Sequence, residues 1–149
     1  MKPTRYLMNS LAALMANDVT CLGAATAMKV GLIIEPFTPS ADLTIGSVVI
    51  SAAAGLAPIA GVAGAQLESI DPLTGENVAE VKAPAGGFRW EVPGPTTPTT
   101  VYGYALTNNL GDSLLATEAI NPPLVFTGDA NQSHTAPALK FRIDGLKIF

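Results

Sequence analysis

Three groups of residues have the types that do chemistry. Four carboxylates, Glu68, Asp71, Glu76 and Glu80, crowd the stretch LESIDPLTGENVAE. Two carboxylates held across a cleft are what glycoside hydrolysis requires, one as acid and one as base or nucleophile. Here Asp71 and Glu76 flank a segment whose Pro72 and Gly75 are turn residues, which reads as the solvated rim of a turn. A second group, Asp129, Asn131 and His134, shares the polar stretch GDANQSHTA. Its oxygens suit a weak calcium site and its imidazole suits a base, while the plain reading is an ordinary polar loop. The third is Cys21, the only cysteine, which excludes an internal disulfide. A catalytic thiol needs a base, and His134 is the only imidazole available, so a buried inert thiol is the default. One His and one Cys do not build a zinc site.

Recognisable catalytic frames are missing. There is no GxxxxGK[ST] phosphate loop and no nucleophile elbow, and GVAGA at 61–65 has a glycine rhythm without a strand–turn–helix setting. The expectation is a protein that is not an enzyme and holds no cofactor and no metal.

The elements that would position these residues are mostly short strands. MKVGLII, 28–34, and the segment 45–50 read as strands, with Pro36 and Pro39 marking irregular chain between them. Residues 66–70 and 77–82 form two more strands around the acidic turn. Phe88, Trp90 and Val92 alternate with Arg89 and Glu91, a strand with its aromatic face inward. PGPTTPTT, 93–100, is a stiff loop, since three prolines in eight residues do not fit a central strand. Tyr102, Tyr104 and Leu106 share one face of a following strand, NNLG turns the chain, and a second strand from 114 to 119 stops at NPP, 121–123. LVFTG makes a brief strand, GDANQSHTA a loop, and ALKFRI, 138–143, the last strand. One helix is expected over 4–17, capped by Thr4, with Leu7, Leu11 and Leu14 on one stripe widened by Met8 and Met15. That stripe either packs on the domain's own core or docks on a neighbouring subunit.

These readings give a mainly β chain: a single antiparallel β-sandwich, jelly-roll or Ig-like, over 28–149, with an N-terminal helical arm over 1–20. Alternating βα units for a parallel sheet are absent. The 149 residues suit one domain. Only 13% are charged, against about a quarter in an average soluble domain, and 48% are hydrophobic. A weakly charged surface of this kind fits a protein that hides part of itself in an assembly.

The net charge of −4 with eight scattered Lys and Arg excludes the basic footprint of nucleic-acid binding. Lys2 and Arg5 before LMNSLAALMA loosely resemble a signal peptide, but Asn9 and Ser10 break the apolar run and no clean cleavage site follows. The stretch 48–65 is long and apolar, yet Gly55, Pro58, Gly61 and Gly64 make a poor spanning helix. No membrane association is expected.

Three stretches resemble small structural proteins of tailed bacteriophages: VGLIIEPFTPSADLTI at 30–45, GLAPIAG at 55–61 and VYGYALTNNLGDSLLATEAINPP at 101–123. Leu56 stands where that group usually has an aromatic. The resemblance implies a virion component, and the expectation built on it is a capsid decoration or cement subunit. Its partner would be the major capsid protein, and it would itself be a homo-oligomer, a trimer at a local threefold being one form. The contact residues expected are Leu7, Leu11 and Leu14 of the helix and the apolar Ile148 and Phe149. A tail, fibre, baseplate or adaptor part is the alternative within the virion. A carbohydrate-binding module, with Trp90, Tyr102 and Tyr104 as an aromatic platform, is the alternative outside it.

Overall fold

The computed structural model describes residues 1–9, 28–62, 66–68, 78–81 and 83–142. Among these it contains ten strands: β1 (Lys2–Pro3), β2 (Lys29–Ile33), β3 (Ile59–Ala60), β4 (Gln66–Glu68), β5 (Val78–Glu80), β6 (Arg89–Val92), β7 (Thr99–Thr107), β8 (Leu114–Phe126), β9 (Gln132–Thr135) and β10 (Lys140–Arg142). They form a five-stranded sheet ordered β1-β8-β7-β2-β3, a three-stranded sheet ordered β10-β5-β4, and a β6–β9 ribbon. Every strand pairing is antiparallel. The chain is therefore mainly β, with packed antiparallel sheets and a short helical turn over residues 5–9.

The five-stranded sheet is covered on both faces. On the front, Val30, Leu32, Tyr104, Leu106 and Ala116 join Phe88, Trp90 and Val92 of the ribbon in the main core. Alternation along β6 makes this possible, because its Trp90 and Val92, like Phe88 just before it, point one way and Arg89 and Glu91 point out. On the back, Ile33, Ala105 and Leu114 are roofed by Phe37, Leu43, Ile45, Val48 and Ile50.

The roof is where an expected strand is replaced. Residues 45–50 do not form one: Ile45–Ser47 is a 3₁₀ turn, and Ile50 makes only an isolated bridge to Ile33. The turn closes locally, Ser47 N donating to Thr44 O at 2.9 Å and Thr44 N to Ser47 Oγ at 3.2 Å. With those groups satisfied, the apolar residues are free to lie flat on the sheet instead of extending it. Two glycines allow the close approach. A Cβ on Gly31 would stand 2.5 Å from the Ile50 side chain, and one on Gly103 would meet the Glu118 carbonyl oxygen and the Phe37 ring.

Three further expectations are corrected. NPP does not end the second hairpin strand; β8 runs on to Phe126. Pairing jumps from Gly103↔Ala119 to Val101↔Leu124, so residues 120–123 stand opposite the single Tyr102. Prolines lack an N–H to donate, and a bulge is where a ladder tolerates them. The stiff 93–100 loop is shorter than expected, since β7 already begins at Thr99. The polar loop 128–136 contains β9, whose residues pair with β6 from Arg89↔Thr135 to Val92↔Gln132.

The first nine residues are packed into this body and do not stand off it as an arm. β1 pairs with β8, and Thr4 N donates to Leu115 O at 2.8 Å. Thr4 is fully buried; its hydroxyl lies 2.6 Å from Leu114 O and accepts from Leu7 N, the N-cap role expected of it. Residues 10–20 lie outside the described residues. Gly103→Ala is expected to lower stability by about 2–3 kcal/mol, because a backbone carbonyl and a packed ring cannot both give way; chemical denaturation of the two proteins measures it.

Candidate functional surface

The expected site residues divide sharply. Leu7 is 5% exposed and belongs to this chain's own main core, so of its two readings the structure takes the internal one. Leu11, Leu14, Ile148 and Phe149 lie outside the described residues, as do Cys21, Asp71 and Glu76. Glu68 and Glu80 occupy opposite ends of the β4–β5 ladder, facing Val78 and Gln66.

Asp129, Asn131 and His134 do not converge. Asn131 Oδ1 accepts from Gly94 N at 3.0 Å, Asp129 is exposed, and His134 turns inward from β9. Among the described residues no cluster of three or more His, Cys, Asp or Glu is arranged to hold a metal ion. Arg89, the arginine of the ribbon, is occupied by Glu91 at 2.8 Å and Ser133 at 3.3 Å. These bonds line a polar cleft of about 420 Å³ along the ribbon's outer side.

The aromatic residues form a cluster, but not a platform. Trp90 and Tyr104 are 1% and 3% exposed, so neither offers a face to a sugar, and Tyr102 alone is half-buried. Trp90, Tyr104 and His134 instead lie nearly parallel, with centroids 6.0–6.4 Å apart and interplanar angles of 12–24°. Trp90 Nε1 donates to Ala57 O at 3.0 Å, and Tyr104 Oη meets His134 Nε2 at 2.5 Å. Burial, helped by the negative charge of Glu118, pushes the Tyr104 phenol up to about 12. Burial holds the His134 imidazole below its ordinary range.

What the surface does present is an apolar knob on a stiff mount. The β7–β8 loop carries Leu110, which is 77% exposed. Asn108 holds that loop: its Oδ1 accepts from Gly111 N at 2.9 Å, Asp112 N at 3.1 Å and Ser113 N at 3.3 Å, while its Nδ2 donates to Asp112 Oδ1 at 2.6 Å. Gly111, at φ +77°, takes the left-handed position that completes the turn. Leu110 borders a mostly apolar cleft of about 340 Å³ whose wall includes Ile45, Val48, Ile50 and Pro58. Val49 and Val62 are also exposed, and residues 43–67 contain no charged side chain. The signal for this knob was present in NNLGDS, where one aliphatic residue interrupts turn chemistry.

No family model, no curated protein and no solved structure matches the chain.

Two outcomes follow from these contacts. Asn108→Ala removes four loop bonds and is expected to cost about 1–2 kcal/mol, with faster backbone motion at 109–112 by NMR relaxation. The second concerns alkali. Unfolded chains lose the tyrosine proton near 10 while folded Tyr104 keeps it to about 12, so the unfolded state binds fewer protons in that window. Stability is therefore expected to fall as pH rises from 10 to 12, and Tyr104→Phe flattens that decline in alkaline denaturation curves.

Proposed function

We propose that this protein is a structural subunit of a tailed-phage virion, a decoration or cement protein that binds the major capsid protein and stiffens the shell. On this reading its sheets make a small β-sandwich of the jelly-roll or Ig-like kind, and a closed ring of copies, such as a trimer, presents several knobs at once. The observation that carries the reading is the exposed Leu110, held by the Asn108 network beside an apolar cleft and an uncharged strip. A pre-organised apolar contact loses little entropy when it docks, which favours binding as a job. The resemblance of residues 30–45, 55–61 and 101–123 to phage structural proteins supplies the kind of assembly.

The energetics suit a cement role. Burying one exposed leucine contributes about 2 kcal/mol, too little for one copy to hold a partner. Repetition over a symmetric shell multiplies such a contact through avidity. Binding to the assembled shell and not to its separated subunits stabilises the shell by linkage, with no reaction to catalyse.

Leu110→Lys tests this directly, because the side chain is exposed and the fold does not need it. The variant is expected to keep its circular dichroism spectrum and lose at least about tenfold in co-sedimentation with shells lacking the protein, the loss of one buried leucine plus a desolvated charge. Undiminished binding overturns the assigned surface. Copy counting in purified particles separates the locations: hundreds per particle fit the shell, and a few or a few dozen move the protein to the tail.

A further inference from the structure

The cluster of three rings joins two sheets. Trp90 on β6 and His134 on β9 are cross-strand partners in the ribbon, whereas Tyr104 belongs to β7 in the middle of the five-stranded sheet. Among the described residues, the Tyr104–His134 bond is the one side-chain hydrogen bond between the ribbon and β7. The ribbon is otherwise tied down by Trp90 Nε1 donating to Ala57 O at 3.0 Å, a bond with no titratable group near neutrality, and by apolar packing, which has no directional requirement. His134 is also the only side chain of the protein with an ordinary midpoint near neutrality, apart from Cys21 and its higher one.

We propose that the Tyr104–His134 pair is a pH-released latch: protonation of His134 loosens the β6–β9 ribbon from the five-stranded sheet while that sheet stays folded. In the closed state a neutral imidazole with its proton on Nδ1 accepts the Tyr104 hydroxyl proton at Nε2, the tautomer this latch requires. A protonated ring cannot accept there, so the contact then requires Tyr104 Oη to turn and accept from Nε2–H, and the ring carries a charge into a part-buried site beside Trp90 and Tyr104.

The surroundings offer that charge no free counter-ion. On β6, Arg89 and Glu91 point to the outer side and pair with each other. On β9, Gln132, Ser133 and Thr135 are uncharged, and Asp129 in the preceding turn is exposed. On β7, Tyr104 keeps its proton to about 12 and Tyr102 is a half-buried phenol. On β8, Glu118 stands opposite Tyr104, already 3.4 Å from the amino group of Met1. Burial holds the folded midpoint below the ordinary one.

The sign follows from that depression. The latch contributes fully above about pH 6.5, where His134 is neutral whether the ribbon is closed or open. Its contribution is lost as pH falls through the lower midpoint of the closed state, because the open state takes up the proton first. Opening would uncover Trp90 and the ribbon's inner face, so acid would expose a second apolar surface distinct from the one around Leu110.

Having a single Trp and a single His, the protein reports on the latch directly. NMR titration of His134 is expected to give a midpoint below 6.5, with Trp90 emission changing at the same pH. Between pH 7.5 and 5, amide protection factors in β6 and β9 are expected to fall by about tenfold for each unit by which the closed-state midpoint lies below the open-state one. Protection in β2 and β7 should hold. Tyr104→Phe keeps the ring and removes the donor, so the His134 midpoint is expected to move up. His134→Gln should abolish the pH dependence of ribbon protection; if it does not fold, Tyr104→Phe decides. Equal loss of protection in both sheets, a pH effect that survives His134→Gln, or an unmoved midpoint in Tyr104→Phe overturns the latch.

Discussion

A strand buried on both faces needs a cover for each, and β7 is such a strand from Gly103 to Thr107. The front cover is the aromatic β6–β9 ribbon, whose two strands come before and after the β7–β8 hairpin in the chain, and the back cover is an irregular segment that makes one isolated bridge to the sheet. Gly103 marks where the two requirements meet. It has no side chain because Phe37 already fills that space from the roof, while the next residue, Tyr104, reaches forward to the ribbon. Close packing on both sides leaves no room at Gly103 for a side chain larger than hydrogen.

The front layer differs from the back in kind. The roof is held by apolar contacts without ionisable atoms and by local turn bonds, which depend little on pH. The ribbon is held by rings that also carry ionisable atoms. Placing a phenol and an imidazole together in a part-buried site raises one midpoint and lowers the other, and each shift favours the neutral form. The same burial that stabilises the pair near neutrality makes its stability conditional outside that range. A core built from Trp and Leu alone would lack this dependence.

The outer surface follows a separate logic. Polar groups of the described ribbon are largely engaged with one another, whereas the β7–β8 tip directs its bonding inward through Asn108 and leaves Leu110 facing out. A loop that spends its hydrogen bonds on its own shape holds an apolar group at a fixed place. That arrangement suits contact with a rigid, repeated partner better than it suits chemistry on a small molecule. The apolar helix stripe, which looks like the better contact in one dimension, contributes Leu7 to the interior instead.

Local pattern was enough to read β2, β6 and the β7–β8 hairpin, because alternation along a strand records which of its faces meets the core. It was enough for the Thr4 cap and for the turn chemistry of 108–111, both set within a few residues. It misread 45–50, where a strand-like apolar run is a roof; the run is apolar in either case, and pairing depends on what lies beside it. It also missed β9, whose QSHT has no apolar face of its own and extends only because β6 is there to pair with. His134 in the polar loop, Trp90 in its strand and Tyr104 in the hairpin were each visible alone, yet nothing local brought them together: Tyr104 and His134 are 30 residues apart in the chain. The sequence by itself determined which residues seek the interior, through composition and period. Only the tertiary structure decided which distant segments cover which face, since that depends on long-range packing and on two glycines small enough to permit it.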